Sequence, residues 1–308
     1  MISSHVARGA VGLRGGAFAC ERLGLTVWSV PTVSLPYHPG HGRATRLVPD
    51  SEAFADFLRD IAASPWSAEI DTVVSGYLGN AEQAQAVAET VSILKSANPH
   101  VRYVCDPVIG DVSGLYVPEA TACAMRDTLL PMADYATPNR FELAWLTNSI
   151  ADTHSEIERL CADLGPKTTA VTSAPALMRD SVAVQLVAPD ETDLIEHLAL
   201  DTVPNGTGDL FTALFAARLT TGNSATEATR LATSSVFEIV ARTAKAGGDE
   251  LGVAAEQAAL IRPAAHVHVR KLTASSALSL RKALKRQRPA DGVTGGPASV
   301  ETLGNDDT

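Results

Sequence analysis

Apolar residues recur along the chain with two different periods, and the two periods alternate. Short apolar runs such as DTVVS (71–75) and VRYVC (101–105) predict buried strands. Between them, NAEQAQAVAETVSILKSANP (80–99) has apolar residues at helical spacing and stops at Pro99. Strands that alternate with helices are typical of an α/β fold, in which a mainly parallel sheet is covered by helices on both faces.

The same alternation continues through the second half of the chain. The strands predicted there are ADYAT (133–137), TTAVTS (168–173) and a hairpin formed by VAVQLVA (182–188) and LIEHLAL (194–200). The predicted helices are RFELAWLT (140–147), HSEIERLCADLG (154–165), one that opens at NGTGD (205–209), and NSATEATRLATSSVFEIVARTAKAG (223–247). In the last helix, Ser224 and Glu227 have the spacing of a capping box.

Polar residues gather where the predicted strands end. The segments that share this feature are GYLGN (76–80), DPVIGD (106–111), TPNRFE (137–142) and TSAP (172–175). Ligands of open parallel sheets bind beyond the carboxyl ends of the strands. A solvated turn would explain any one of these segments, but the four together predict a binding site.

The segment VPNGTGDLFTALFAARL (203–219) places two glycines directly before an apolar helix. Gly206 and Gly208 suit a tight turn, and the free N–H groups of the helix N-terminus attract an anion. Asp209 then falls in the first turn, beside that anion. An acidic residue there also stabilises the helix dipole without any catalytic role. On this segment alone, both interpretations of Asp209 stay open.

Composition narrows the class of protein. The chain has 308 residues, 45% hydrophobic and 19% charged, and a formal net charge of −10. These values indicate a globular protein. They argue against non-specific nucleic-acid binding, which needs clustered basic residues. With neither a secretory signal nor a run as long as a membrane span, we expect a cytoplasmic protein without a membrane partner. The cysteines, Cys20, Cys105, Cys123 and Cys161, lack metal-site spacing and are expected to be ordinary thiols.

The composition changes after Leu272. The segment 273–308 contains a basic run from Arg281 to Arg288, followed by small and turn-forming residues. We expect a folded domain over 1–272 and a solvated, disordered tail over 273–308.

Five motifs, in this order and spacing, resemble those of pyridoxal kinases, the vitamin B6 salvage enzymes of the ribokinase-like superfamily. The motifs are SHVARGAVG (4–12), SGYLG (75–79), CDPVIGD (105–111), TPNRFE (137–142) and NGTGDLF (205–211). The resemblance covers roughly residues 2–272. It implies a ribokinase-like three-layer sandwich that phosphorylates the 5′-hydroxymethyl group of pyridoxal, with ATP and Mg²⁺, and that tends to form homodimers.

The resemblance also implies a role for each matching position. Gly206, Thr207 and Gly208 would form the anion hole for the transferring phosphoryl group, and Asp209 would be the base. The positions implied to contact the vitamin are Ser4, Val33, His38, Tyr77 and Asp209. Those implied on the ATP side are Asp106, Thr137, Asn139, Glu142, Thr172 and Ser173. Mg²⁺, often with a monovalent cation such as K⁺, would be held at Asp106, Asp111 and Glu142, and Tyr116 would lie in the lid.

The chain departs from the family pattern at three places. The family has a full strand before the Ser4–His5 pair, and almost all of it is missing here. Pro39 stands where a threonine often contacts the ring, and Leu13 stands where asparagine is frequent. The last two departures put the preferred B6 vitamer in question, whereas the reaction class is unaffected.

Two alternatives to a pyridoxal kinase stay open from the sequence. One is a hydroxymethylpyrimidine kinase of the same superfamily. The other is a non-catalytic B6-binding protein derived from a kinase, against which the presence of Asp209, Glu142 and the glycines argues. A Rossmann oxidoreductase is disfavoured because no GxGxxG motif follows the first strand.

Overall fold

Most of the strands form one large sheet, which is parallel through its centre and antiparallel towards one edge. The computed structural model describes residues 1–272. Its strands are β1 (Ile2–Val6), β2 (Val30–Leu35), β3 (Thr72–Ser75), β4 (Arg102–Cys105), β5 (Gly110–Asp111), β6 (Gly114–Leu115), β7 (Tyr135–Ala136), β8 (Thr168–Pro175), β9 (Ser181–Val187), β10 (Thr192–Leu198) and β11 (His268–Leu272). In this described part, the main sheet has the order β11-β10-β9-β8-β7-β4-β3-β1-β2, and β5 and β6 form a separate antiparallel pair.

The pairing changes direction at β8. From β2 across to β8 all neighbours are parallel, whereas β8 with β9, β9 with β10 and β10 with β11 are antiparallel. The predicted hairpin is therefore confirmed as β9 and β10. Antiparallel strands at one edge of a mostly parallel sheet are common in such folds.

The helices alternate with the strands, as the hydrophobic periods predicted. They are α1 (Leu13–Arg22), α2 (Ser51–Ala63), α3 (Glu82–Ala97), α4 (Glu119–Ala124), α5 (Arg140–Leu146), α6 (His154–Leu164), α7 (Thr207–Thr220), α8 (Ala225–Lys245) and α9 (Gln257–Ile261). Gly165 ends α6 with a positive φ of 118°, a backbone angle that glycine adopts with less strain than other residues because it has no Cβ. At the start of α8 the Ser224 side chain accepts a hydrogen bond from the Glu227 N–H, which is one half of the predicted capping box.

Two apolar clusters, one on each face of the sheet, make the fold a three-layer sandwich. Val73 packs in a cluster with Leu58 of α2 and Val91 of α3. The next residue of the strand, Val74, packs in the other cluster with Leu214 of α7. Because successive side chains of a strand point to opposite faces, helices must cover both sides of the sheet. The predicted three-layer α/β sandwich is confirmed.

The first strand lies inside the sheet. Residues of β1 pair with β2 from Ile2 to Val6, and Ile2 also pairs with Ser75 of β3. A cavity of about 290 Å³ lies at the amino ends of these strands, with Met1, Val27 and Val73 in its wall. It is therefore at the end of the sheet opposite the polar segments that predicted a site. The predicted tail over 273–308 lies outside the described residues.

Strand β8 differs from its predicted form. It runs to Pro175, two residues beyond the predicted end at 173, and its register with β9 shifts between Val171 and Ala174. Ser173 lies in this irregular stretch with φ 55°, a backbone angle uncommon for a residue with a side chain. Such bulges occur often beside active sites because they redirect side chains.

Candidate active site

The polar segments that follow the parallel strands meet at one edge of the sheet. Asp106 follows β4, Thr137 follows β7, and Asn139 forms an isolated bridge with Thr172 of β8. A cavity of about 10 Å³ lies at this edge. Its wall includes Ser3, Gly12, Gly76, Asp106, Asp209 and Thr212. The strand ends, β1 and the start of α7 therefore converge on the same point, as the sequence predicted.

The turn before α7 has the backbone that the two glycines suggested. Gly206 caps the helix in the left-handed region, at φ 90°, and a side chain there would press against Val11 at 3.2 Å. Gly208 lies in the first helical turn, and a Cβ built on it would meet no heavy atom within 4 Å. The first N–H groups of the fourteen-residue α7 have no partner within the helix. The turn therefore presents N–H donors beside open space, which suits an oxyanion.

Asp209, on the first turn of α7, is held by the chain segment that follows β1. The backbone N–H of Gly12 donates a hydrogen bond to its carboxylate, whereas burial raises the pKa of Asp209 to about 6. Gly12 itself has φ 61°, and a Cβ on it would overlap the carbonyl oxygen of Ser4. The segment 4–12 can approach Asp209 this closely only with glycine at position 12.

A line of hydroxyl groups connects Asp106 to the neighbouring strand. The Thr212 hydroxyl donates to Asp106 Oδ2 at 2.8 Å and lies 2.8 Å from the Thr137 hydroxyl. Burial raises the pKa of Asp106, the Asp209 charge adds to the shift, and the hydrogen bonds with Thr212 and Thr137 oppose it. Asp106 thus lies close enough to Asp209 for the Asp209 charge to disfavour its ionised form.

Glu142 joins two of the converging segments. It forms a capping box with Asn139 at the start of α5, in which its Oε2 accepts from the Asn139 N–H at 2.7 Å. Its Oε1 accepts from the N–H groups of Ile109 at 3.0 Å and Gly110 at 3.4 Å. Burial and the nearby Asp106 charge raise the pKa of Glu142. The DPVIGD and TPNRFE motifs are therefore fixed to each other by one buried carboxyl group.

These carboxyl groups fit a hard cation. Asp106 and Glu142 are 5% and 4% exposed, and each has its pKa raised by burial and by a neighbouring carboxylate. Buried oxygen ligands with excess negative charge suit Mg²⁺ or K⁺. Among residues 1–272, no group of three or more His, Cys, Asp or Glu side chains forms a site by itself. Mg²⁺ does not require one, because it usually keeps several waters and substrate phosphate oxygens as ligands.

Asp111 and Tyr116 form their own pair beside the site. Asp111 lies in the β5–β6 hairpin, where its carboxylate accepts from the Ser113 N–H at 2.7 Å and from the Tyr116 hydroxyl. Burial and this hydrogen bond raise the pKa of Tyr116, which is still 51% exposed. The structure therefore places Asp111 with the exposed segment around Tyr116, whereas Asp106 and Glu142 are buried.

Tyr77 lies at the carboxyl end of β3 under an arginine. Arg46 donates to the Tyr77 hydroxyl at 2.9 Å and to the Gly79 carbonyl at 3.0 Å, with its guanidinium 5.7 Å from the ring centre. The Tyr77 carbonyl accepts from the Thr32 hydroxyl at 2.7 Å. Val33, the next residue of β2, is fully buried.

Of the remaining predicted vitamin contacts, Ser4 lies within β1 and His38 lies after β2. Ser4 is buried against Gly12, while the neighbouring Ser3 accepts a hydrogen bond from the Tyr77 N–H at 3.2 Å. His38 is half-buried, and its Nδ1 accepts from the Gly40 N–H at 3.1 Å. Burial lowers the pKa of His38, so its neutral ring keeps Nε2–H as a donor.

This arrangement can be compared with known proteins. The model of the phosphomethylpyrimidine kinase family matches residues 51–254. Pyridoxal kinase PdxY of Corynebacterium diphtheriae is 33% identical over 278 residues, which cover 88% of this chain and 98% of that protein. The chain belongs to the pyridoxal kinase family. The pyridoxine/pyridoxal/pyridoxamine kinase of Bordetella bronchiseptica, 36% identical over 81% of this chain and 90% of that protein, is a further relative of this family.

A solved pyridoxal kinase has the same fold. The pyridoxal kinase of Leishmania donovani in complex with ADP and pyridoxamine superposes with a TM-score of 0.82 at 25% identity, and covers 88% of this chain and 99% of that chain. The ribokinase-like fold that the motifs implied is thereby confirmed. Among residues 1–272, no helix is both long and apolar enough to cross a bilayer.

The motifs of this kinase family did not identify three residues of the site. Thr212 follows Asp209 by three positions, so helical spacing alone places both on one face of α7. Ser3 was overlooked beside the Ser4–His5 pair. Arg46 had a weaker signal, a basic residue in RATR (43–46) after the loop HPGHG (38–42), called the histidine loop below, because its contact with Tyr77 joins residues 31 positions apart.

Thr212→Val removes the hydroxyl between Asp106 and Thr137 without changing the side-chain shape. The buried Asp106 carboxyl group then loses one of its two hydroxyl partners, so we expect the free energy of unfolding at pH 7 to fall by about 1–3 kcal/mol, measured by urea denaturation. Thr229→Val is the matched control, because the buried Thr229 hydroxyl donates to the Ala225 carbonyl of its own helix. Equal losses in the two variants would show that Asp106 does not depend on Thr212.

Proposed function

We propose that this protein transfers the γ-phosphoryl group of ATP to the 5′-hydroxymethyl group of pyridoxal, giving pyridoxal 5′-phosphate and ADP. The observation that carries the proposal is the position of Asp209, a carboxyl group of raised pKa one residue after the glycine turn of α7. An anion site and a base are thus adjacent on one helix. Pyridoxine and pyridoxamine, which carry the same hydroxymethyl group, are proposed as further substrates.

The chemistry assigns one task to each part of α7. The N–H groups of Gly206, Thr207 and Gly208 would donate hydrogen bonds to the transferring phosphoryl oxygens and so stabilise the negative charge that spreads over them. Asp209 accepts the proton of the attacking alcohol, the new O–P bond forms, and the bond to ADP breaks. A carboxyl group whose pKa lies near neutrality suits this role, because it is ionised in the cell and yet basic enough to take the proton.

The other strand ends would hold the nucleotide and its cation. Asp106 and Glu142 would bind Mg²⁺, and K⁺ where it takes part, and the cation would neutralise phosphate charge. Thr137, Asn139, Thr172 and Ser173 would face the nucleotide. The exposed Tyr116, hydrogen-bonded to Asp111, would cover the phosphates. The Leishmania donovani pyridoxal kinase, which has the same fold and was solved in complex with ADP, supports nucleotide binding by this chain.

A hydroxymethylpyrimidine kinase is the second candidate, because the matching family model bears the name of a phosphomethylpyrimidine kinase. The curated relatives named as pyridoxal kinases favour the first candidate. A competition assay with both substrates and limiting ATP decides between them, since preferred phosphorylation of the pyrimidine would reverse the assignment. We also propose that the protein is cytoplasmic and forms a homodimer. Analytical ultracentrifugation, which gives the mass of the particle in solution, would test the homodimer.

Gly208→Ala should affect the anion site without affecting the stability of the fold. The added methyl group meets no protein atom within 4 Å, and alanine favours helix more than glycine, so the melting temperature should stay equal or rise. The same methyl group crowds the phosphoryl oxygens, and we expect kcat to fall by on the order of 100-fold. Full activity in a stable variant would remove this turn from the reaction.

Asp209→Asn keeps the size of the side chain and removes its basicity. We expect kcat to fall by about 100- to 10,000-fold, while pyridoxal and ATP still bind in calorimetry. Asp201→Asn, at an exposed position before the glycine turn, is the matched control and should retain wild-type turnover. A wild-type rate in the Asp209 variant would exclude it as the base.

The activity should depend on pH through the same carboxyl group. Because burial raises the pKa of Asp209 to about 6, the base is ionised above this pH and protonated below it. We therefore expect kcat/KM for pyridoxine to decrease about tenfold per unit as the pH falls below about 6. A profile that stays flat between pH 5 and 7 would contradict the assignment.

A further inference from the structure

A carboxylate outside the motifs, Glu250, lies where two segments that border the glycine turn come together. It follows α8, in the sequence AGGDELGV (246–253). Its Oε1 lies 2.8 Å from His41 Nε2 and accepts from Arg8 Nη1 at 3.4 Å. His41 belongs to the segment after β2, and Arg8 to the segment after β1. One side chain therefore links two loops at the carboxyl edge of the sheet.

Both of these loops touch the residues that open α7. A Cβ on Gly40 would lie 3.1 Å from Asn205 Nδ2, so the histidine loop packs against the residue before Gly206. From the other loop, Val11 and the Ala10 carbonyl lie 3.2 and 3.4 Å from the Cβ position of Gly206. Movement of either loop would thus change the border of the proposed phosphoryl site.

The segment that carries Glu250 is firmly attached to the core. Leu251 and Val253 are 5% and 3% exposed and pack in the cluster that contains α7. The Gly252 N–H donates to the Thr243 hydroxyl of α8 at 3.0 Å. In contrast, residues 39–46, which include most of the histidine loop and the segment after it, are exposed to solvent. Glu250 is therefore a fixed point to which a more exposed loop is tied.

One oxygen of the Glu250 carboxylate is paired with His41 and Arg8, whereas the other has no partner among the described residues. Glu250 Oε2 is buried and has no hydrogen-bond partner among the described residues, and the carboxylate lies directly on Gly9, where any Cβ would overlap it. A buried acceptor without a donor costs free energy that an apolar side chain would not. Residues that break this rule are found most often at functional sites.

We propose that Glu250 is a positioning residue for the vitamin site: through His41 it holds the 38–42 segment against Asn205, so that the Nε2–H of His38 faces the ring of the bound B6 vitamer. This proposal rests on the proposed function. The histidine loop has Pro39 in place of the family's usual threonine. In this proposal the loop is held in position by Glu250, which lies 209 residues after His41 in the sequence. Neither Glu250 nor His41 contacts the reacting atoms.

The test is whether Glu250→Ala changes the KM for pyridoxal while kcat and the KM for ATP stay the same. We expect the KM for pyridoxal to rise roughly tenfold, the effect of losing one charged hydrogen bond, with kcat and the KM for ATP within about twofold of the wild type. Glu250→Gln keeps an acceptor for His41 and should restore most of the affinity. Asp249→Ala is the matched control, because Asp249 binds Arg8 at 2.6 Å on the same segment without touching His41.

A second readout needs no activity. Hydrogen exchange of the peptide spanning 36–43 should be faster in Glu250→Ala than in the wild type or in Asp249→Ala. If the wild type phosphorylates no B6 vitamer, the proposed function fails, and the exchange rates still decide whether Glu250 holds the loop. Unchanged exchange, an unchanged KM for pyridoxal in an active enzyme, or equal effects of Asp249→Ala would each overturn the proposal.

Discussion

The burial of several carboxyl groups at one edge of the sheet is the constraint around which the site is arranged. Asp106, Glu142 and Asp209 are forced together because strands β4 and β7 and helix α7 all present their ends there. Each has its pKa raised by burial, and Asp106 is further affected by the Asp209 charge. The surrounding hydroxyls and N–H groups reduce this cost without removing it, so a cation or a proton is bound more tightly here than at a solvated carboxylate.

Much of the fold could be predicted because its signals are local. Apolar alternation between short strands such as 101–105 and long helices such as 80–99 is imposed by burial on both faces of a sheet, and the structure reproduces it with ends shifted by one or two residues. The irregular stretch at Ser173 was different. Its positive φ depends on the register with β9, a neighbour in space, and the residue type gives no sign of it.

The site was predictable only in part, for a related reason. Asp209 and the glycine turn lie within one short segment, so spacing alone suggested their joint role. Arg46 and Glu250 make their contacts 31 and 209 residues away along the chain, and no periodicity connects such pairs. Resemblance to a family supplies the positions of its motifs, whereas a contact between residues outside those motifs, such as that of His41 with Glu250, becomes visible only in three dimensions.

The two outer strands of the sheet, as described over residues 1–272, determine how readily a further strand could pair with it. Strand β11 carries Arg270 and Lys271, which form ion pairs with Glu196 of β10 and with Glu191 just before it. The side chains of Arg270 and Lys271 remain largely exposed to solvent. At the other border, β2 contains Pro31, which has no N–H to offer, and Ser34 bridges Leu47. Charged or proline-containing borders resist open-ended strand addition. Among residues 1–272, both borders of the sheet therefore disfavour the pairing of further strands, which is the step by which a sheet grows into a fibril.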